Sequence, residues 1–373
     1  MLVALILTAL ASFAGAVALS WTHAFLPSAH IHLALAAGVM PLILGAMTHF
    51  VPVLTRSPTP HKGIWLIPAL VLAAGVLAFF SFAVPSEAYY FAALLALAAT
   101  MVFAGWSIRR AANPLGKPHP SLYWYLAALA CLMLALAVVG AMALWPEQRL
   151  ALKRLHLHLN TLGFIGLTAV ATLQVLLPTV AGRYDPQAAS RLQSDLKWAL
   201  GGTLLVATGA AWFKPLAWLG AMIWAIPLIH LGRPWFALYR GNIFRRHGAA
   251  PSLAAALAGF AAALLGGVLH GAGLLGTTNT AHAFILAFLF PLVTGAVTQL
   301  LPVWARPGPQ TAWHGQLLRQ LGWGGGIRAA LFLAGGLLLA VGWRGGLWLA
   351  IAALAAFLLQ LAAAAKTLLD RDG

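Results

Sequence analysis

Apolar runs of about twenty residues recur through this sequence with only short polar joints between them, and that pattern leaves few ways to fold. A hydrocarbon layer roughly 30 Å thick takes about 20 helical residues to cross, and backbone polar groups inside it must be satisfied within the helix. The runs fall near residues 1–21, 29–54, 64–83, 88–107, 121–145, 155–180, 196–213, 215–232, 252–272, 279–303, 326–341 and 345–366. The sequence therefore predicts an all-α integral membrane protein with twelve transmembrane helices, a single polytopic domain over residues 1–373. Composition points the same way, because only 8% of the residues are charged, whereas soluble domains carry about 25%.

Twenty-two Lys and Arg against six Asp and Glu give a formal net charge of +16. In a soluble chain that excess would point to nucleic acid. Here the cations flank apolar runs, so the expected partner is a lipid bilayer and not nucleic acid. With both termini cytoplasmic, 17 of the 22 basic residues lie inside, and Arg149, Lys153, Arg154, Lys214 and Arg344 remain on the other face. The positive-inside rule favours that orientation in a bacterial inner membrane. The first 21 residues lack a basic n-region and read as a span, not a cleaved signal. The one cysteine, Cys131, lies inside an apolar run, which excludes a disulfide framework.

Self-comparison reveals a repeat. Residues 41–56, PLILGAMTHFVPVLTR, and 291–306, PLVTGAVTQLLPVWAR, share eight of sixteen positions. His32, His158 and His282 each precede a proline by 20 residues, at Pro52, Pro178 and Pro302. The histidines are 126 and 124 residues apart, which divides the chain into three four-helix units near 1–120, 121–247 and 248–373. Twenty residues of helix rise about 30 Å, so each His lies near the outer boundary and each Pro near the inner one. Two sites are doubled, His30 with His32 and His156 with His158. Residues two apart on a helix point about 200° apart, so one helix can present imidazoles to two neighbouring sites.

Neutral imidazole is a good axial ligand for haem iron and for copper, and ionisable groups inside spans are functional hypotheses by default. A single outer histidine more often hydrogen-bonds a loop or reaches water; five on three homologous helices make a cofactor role the stronger reading. His49 sits deeper, opposite Gln299 in the repeat, and reads as a packing residue. His23 and His270 border outer loops. His61, His119, His247 and His314 fall in cytoplasmic joints and are expected to be solvated, with His230 close to that surface. Gly45, Gly163, Gly166 and Gly295 would let helices approach closely. Gly324 to Gly326 reads as a loop hinge.

Three groups of four spans with histidines near the outer ends of spans 2, 6 and 10 resemble subunit I of the haem-copper oxidase superfamily. The stretch LHLHLNTLGFIGLTAVATLQVLLPTVAGR, residues 155–183, is similar to that superfamily's metal-binding helix. The twelve-span NnrS family, associated with haem, copper and nitric oxide stress, is a related match. The resemblance implies one or two b-type haems, with copper as a further cofactor and quinol or cytochrome c as electron donor. It maps the low-spin haem ligands to His32 or His30 and to His282, and a copper ligand to His156 or His158. The axial pairing stays open, because span 10 offers one His where the superfamily's active-site haem also hangs from that span.

Two departures limit the implied activity. The superfamily's copper needs two adjacent histidines on span 7, and residues 196–213 contain none. All six carboxylates, Glu87, Glu147, Asp185, Asp195, Asp370 and Asp372, fall at span ends or in joints, whereas a proton-pumping oxidase needs titratable groups along its membrane path. The expectation is electron transfer or handling of a small gas such as nitric oxide, without a conventional three-histidine copper centre. Arg149, Lys153 and Arg154, directly before His156, would face haem propionates, which benefit from nearby cations; a solvated loop is the plain alternative. The rival readings are a histidine-based metal transporter, for which Pro41 and Pro291 supply helix breaks, and an assembly or structural membrane protein.

Overall fold

The computed structural model describes residues 1–22 and 26–369. It is helical throughout, with no strand among the described residues. Eleven of the described helices are long and apolar enough to cross a membrane, so the chain is a multi-pass helical membrane protein. It divides into two compact units.

The first unit comprises Met1–Ala171 with Leu192–Ile223. It contains α1 (Leu2–Thr22), α2 (Pro27–His32), π1 (Leu33–Val39), α3 (Met40–Thr55), α4 (Leu66–Ala83), α5 (Ala88–Ala112), α6 (Ser121–Leu144), α7 (Arg149–His158) and π2 (Leu159–Gly166). It also holds the start of α8 (Leu167–Ala181), most of α9 (Ala188–Ala211) and the start of α10 (Lys214–Ile243). α9 covers the expected seventh span, 196–213, but its first turns carry Arg191, Asp195 and Lys197 and it is not among the eleven helices apolar enough to cross a membrane. The expected eighth span ends near 232, yet α10 continues to Ile243 through Pro227 and Pro234.

The second unit comprises Thr172–Arg191 with Trp224–Gly373. Its further helices are α11 (Ala250–Gly271), α12 (Thr277–His282), π3 (Ala283–Leu289), α13 (Phe290–Ala305), α14 (Ala312–Gly322), α15 (Gly325–Ala340) and α16 (Gly346–Leu369). α14 has no counterpart among the expected spans. It is amphipathic and not uniformly apolar, burying Trp313, Leu317 and Leu321 while Gln316 and Arg319 are exposed.

Lipid tails are as apolar as leucine, so these helices gain from close packing rather than from escape from water. Glycines mark where backbones approach. In the first unit Gly75 of α4 lies against π1, where an added Cβ would fall 2.2 Å from the Ala36 carbonyl oxygen. Gly163 of π2 faces Cys131 of α6, with an added Cβ 2.6 Å from the cysteine Cβ. In the second unit Gly259 of α11 faces Ala287 of π3, and Gly336 of α15 faces the same residue. Phe260 and Phe288 pack between the same elements with ring centroids 4.8 Å apart. The three glycines 324–326 are not a free hinge: Gly324 takes the left-handed conformation that starts α15, and Gly325 and Gly326 pack against the backbone of residues 245–248.

His119 lies in the joint between α5 and α6, outside the spans. Its Nδ1 accepts the Ser121 backbone N–H at 3.3 Å, and partial burial lowers its pKa below the ordinary histidine value. The unfolded chain therefore takes up the proton first, and stability is lost as pH falls below about 6.5. Thermal melts in detergent at pH 7 and pH 5 should show a smaller acid-induced drop for His119→Gln than for the parent chain. An identical drop in both would remove His119 from the acid response.

Candidate functional site

The in-register histidines stand at one structural landmark. His32 closes α2, His158 closes α7 and His282 closes α12, and a π-helical segment begins at the next residue in each case. The side chain of His282 lies outside the described residues, as does His23. A π turn carries one more residue than an α turn and is frequent at functional sites. Proline supplies part of the cause. Pro41 and Pro291 sit just past π1 and π3, where a missing N–H and a ring that crowds the preceding turn disfavour α geometry. The corresponding residue after π2 is Leu167, and there Gly163 and Gly166 supply the permissive backbone. The prolines thus change the winding of a continuous helix.

The imidazoles are anchored by one nitrogen. His32 Nδ1 lies 2.7 Å from the Ser28 carbonyl oxygen. His156 Nδ1 lies 2.8 Å from the Ala135 carbonyl oxygen of α6, and His158 Nδ1 lies 2.8 Å from that of Arg154. A carbonyl only accepts, so in each ring Nδ1–H donates, and in the neutral form of the ring the lone pair is on Nε2. Metal-binding histidines are commonly oriented in this way. The His-x-His pair of α7 diverges as helix geometry requires: His156 reaches the neighbouring helix, and His158 bonds back to its own.

His32 is within electrostatic range of both His156 and Lys153. Its ring packs against Phe82 at 4.4 Å between centroids, and Phe82 stacks on Tyr89 at 5.4 Å. Arg149 donates to the Tyr89 hydroxyl at 2.7 Å. The structure therefore gathers His32, His156, Lys153 and Arg149 into one region of the first unit. His30 is half-buried in the turn before His32, and Arg154 is exposed, its carbonyl serving His158.

Three participants escaped the sequence reading. Phe82 and Tyr89 sit at span ends, where aromatics are expected without any special role. Asn160, in π2, donates to the His156 carbonyl at 2.9 Å and places its amide nitrogen 3.4 Å from His156 Nε2. An amide two residues past a His-x-His pair was the available signal for it. One expectation is corrected: His314 is only 3% exposed. Its Nδ1 accepts the Thr311 backbone N–H at 3.1 Å and its Nε2–H donates to the Arg306 carbonyl at 2.9 Å, so it caps α14 from within. His61 and His247 are exposed as expected.

Among the described residues no three His, Cys, Asp or Glu side chains converge as ligands for one metal ion. A haem iron needs only one or two axial imidazoles, and the donors at His32 and His156 fit that demand. No family model matches the chain, and no curated protein matches it.

Proposed function

We propose that this chain is a membrane haem protein of twelve spans in three groups of four, similar in plan to haem-copper oxidase subunit I and to NnrS. It serves electron transfer or the handling of a small gas such as nitric oxide. One observation carries the reading: contacts running from His32 through Phe82 and Tyr89 to Arg149 bring α2 close to α7, and His32 and His156 each have Nδ1–H committed to a backbone carbonyl. Three π segments at one offset from His32, His158 and His282 support the threefold plan, since a duplicated helix would carry its local winding with it.

In this reading His32 and His156 would hold a b-type haem at the outer end of the spans through their Nε2 atoms, and His158 and His282 remain candidates for a second group. When bound, the haem supplies an iron that accepts an electron or coordinates a diatomic gas. Arg149 and Lys153 offset the charge of its carboxylates, and Phe82 fixes the His32 ring from one side. The Asn160 amide nitrogen, 3.4 Å from His156 Nε2, would have to turn aside to leave that lone pair to iron. Both termini are cytoplasmic in this orientation.

The test is the visible spectrum and metal content of the chain purified in detergent from haem-replete cells. The expected result is a Soret band with one or two iron atoms per chain. Bound copper without haem would favour the transporter reading, and a colourless, metal-free preparation would sink both.

A further inference from the structure

The second unit carries a buried cation with no anion beside it among the described residues, at the end where Pro302 lies. Arg328, the fourth residue of α15, is 2% exposed. Its Nη1 donates to Gln360 Oε1 at 2.5 Å, and its Nη2 lies 3.5 Å from Thr298 Oγ1 and 3.4 Å from the Leu321 carbonyl oxygen. The guanidinium carbon stands 4.7 Å from the centre of the Phe357 ring. All of these partners are neutral, and Nε has no hydrogen-bond partner. Among the described residues no carboxylate pairs with it. A buried charge left without a counter-charge is costly.

A shallow, open depression adjoins this cluster, lined by Arg319, Gln320, Trp323, Gln360 and Ala363. Gln360 is both a wall of the depression and the acceptor for Arg328, and its amide nitrogen donates to the Trp323 carbonyl at 2.8 Å. Gln320 holds a buried Oε1 without a partner. Amide oxygen and nitrogen exchange places by a simple turn, which would present an NH₂ to the same space. One guanidinium on the wall, a second one hydrogen bond behind it and an amide donor suit a compact oxyanion such as phosphate.

The position selects the source of that phosphate. Trp323 is 63% exposed, as tryptophans at a membrane boundary are. The amphipathic α14 turns Gln316 and Arg319 outward while burying its apolar side, the character of a helix lying along the headgroup layer. We propose that this depression binds the phosphate of an anionic phospholipid, with Arg319 contacting it and Arg328 neutralising it from behind. The site is independent of the histidine region.

Native mass spectrometry of the full chain in detergent, titrated with dioleoyl phosphatidylglycerol or dioleoyl phosphatidylcholine, tests this. One phosphatidylglycerol should bind in preference to phosphatidylcholine. Arg319→Gln should weaken it about fivefold, the equivalent of one lipid-facing cation, and Arg328→Gln at least as much. Arg109→Gln, an exposed control of equal charge, should leave it unchanged. Arg319 is exposed, so its variant carries the test alone if Arg328→Gln does not fold. Equal binding of the two lipids, or unaltered binding by Arg319→Gln, would overturn the proposal. So would inorganic phosphate occupying the site as tightly as phosphatidylglycerol, since that would make the ligand a soluble anion.

Discussion

Alanine at His156 is expected to lower the haem content of the purified chain by at least about tenfold, and alanine at His32 to do the same. Even the outer groups that merely orient a metal ligand are worth about 10- to 100-fold in affinity, so loss of the ligand itself should cost no less. The two positions should behave alike because their geometry is alike: each imidazole is held by its Nδ1 at 2.7 or 2.8 Å from a carbonyl oxygen and in its neutral form has the lone pair on Nε2. Asn160→Ala removes a neighbour of His156 and leaves both ligands, so it should shift the absorption maximum and preserve the haem. His61→Ala changes an exposed histidine that caps a short turn and should change nothing in the spectrum. Haem content that is unchanged in both His32→Ala and His156→Ala would place the cofactor elsewhere.

The second large effect concerns folding. Gly259→Ala would put a methyl group 1.8 Å from the Ala287 carbonyl oxygen, and Gly75→Ala one 2.2 Å from that of Ala36. Both obstacles are backbone atoms of π segments, so neither can swing aside as a side-chain tip does. Overpacking of this kind typically costs about 1–3 kcal/mol and at times more. Each variant should therefore melt several degrees lower in detergent or accumulate poorly in the membrane. Gly140 in α6 has nothing within 4 Å of an added Cβ. Gly140→Ala should be neutral or slightly stabilising, as expected for a helix interior. A parental melting temperature for Gly259→Ala would mean that α11 and π3 do not meet as closely as described.

The contrast between these effects and the sequence shows what could be read from residues alone. Spans were legible because hydrocarbon demands long apolar helices, and α6 and α16 fall almost where the runs predict. The early start of α9 was not, because Arg191, Asp195 and Lys197 look like a joint, and neither was the passage of α10 through Pro227 and Pro234. The π segments were invisible for a physical reason: π and α windings suit the same apolar composition, and only Pro41 and Pro291 hinted at irregular backbone. At the candidate site the histidines were legible as a repeated pattern, whereas their anchors were not. A backbone carbonyl such as that of Ala135 has no sequence signature, and the stack from His32 through Phe82 to Tyr89 and Arg149 joins four elements that only the fold brings together.

Counting the imidazoles on the iron addresses the central claim most directly. Pulsed electron paramagnetic resonance of the oxidised, purified chain labelled with ¹⁵N-histidine should show two coordinated imidazole nitrogens on one haem, falling to one or to loss of the centre in His32→Ala and in His156→Ala. A chain with no haem iron, or an iron whose histidine couplings survive both substitutions, would contradict the account.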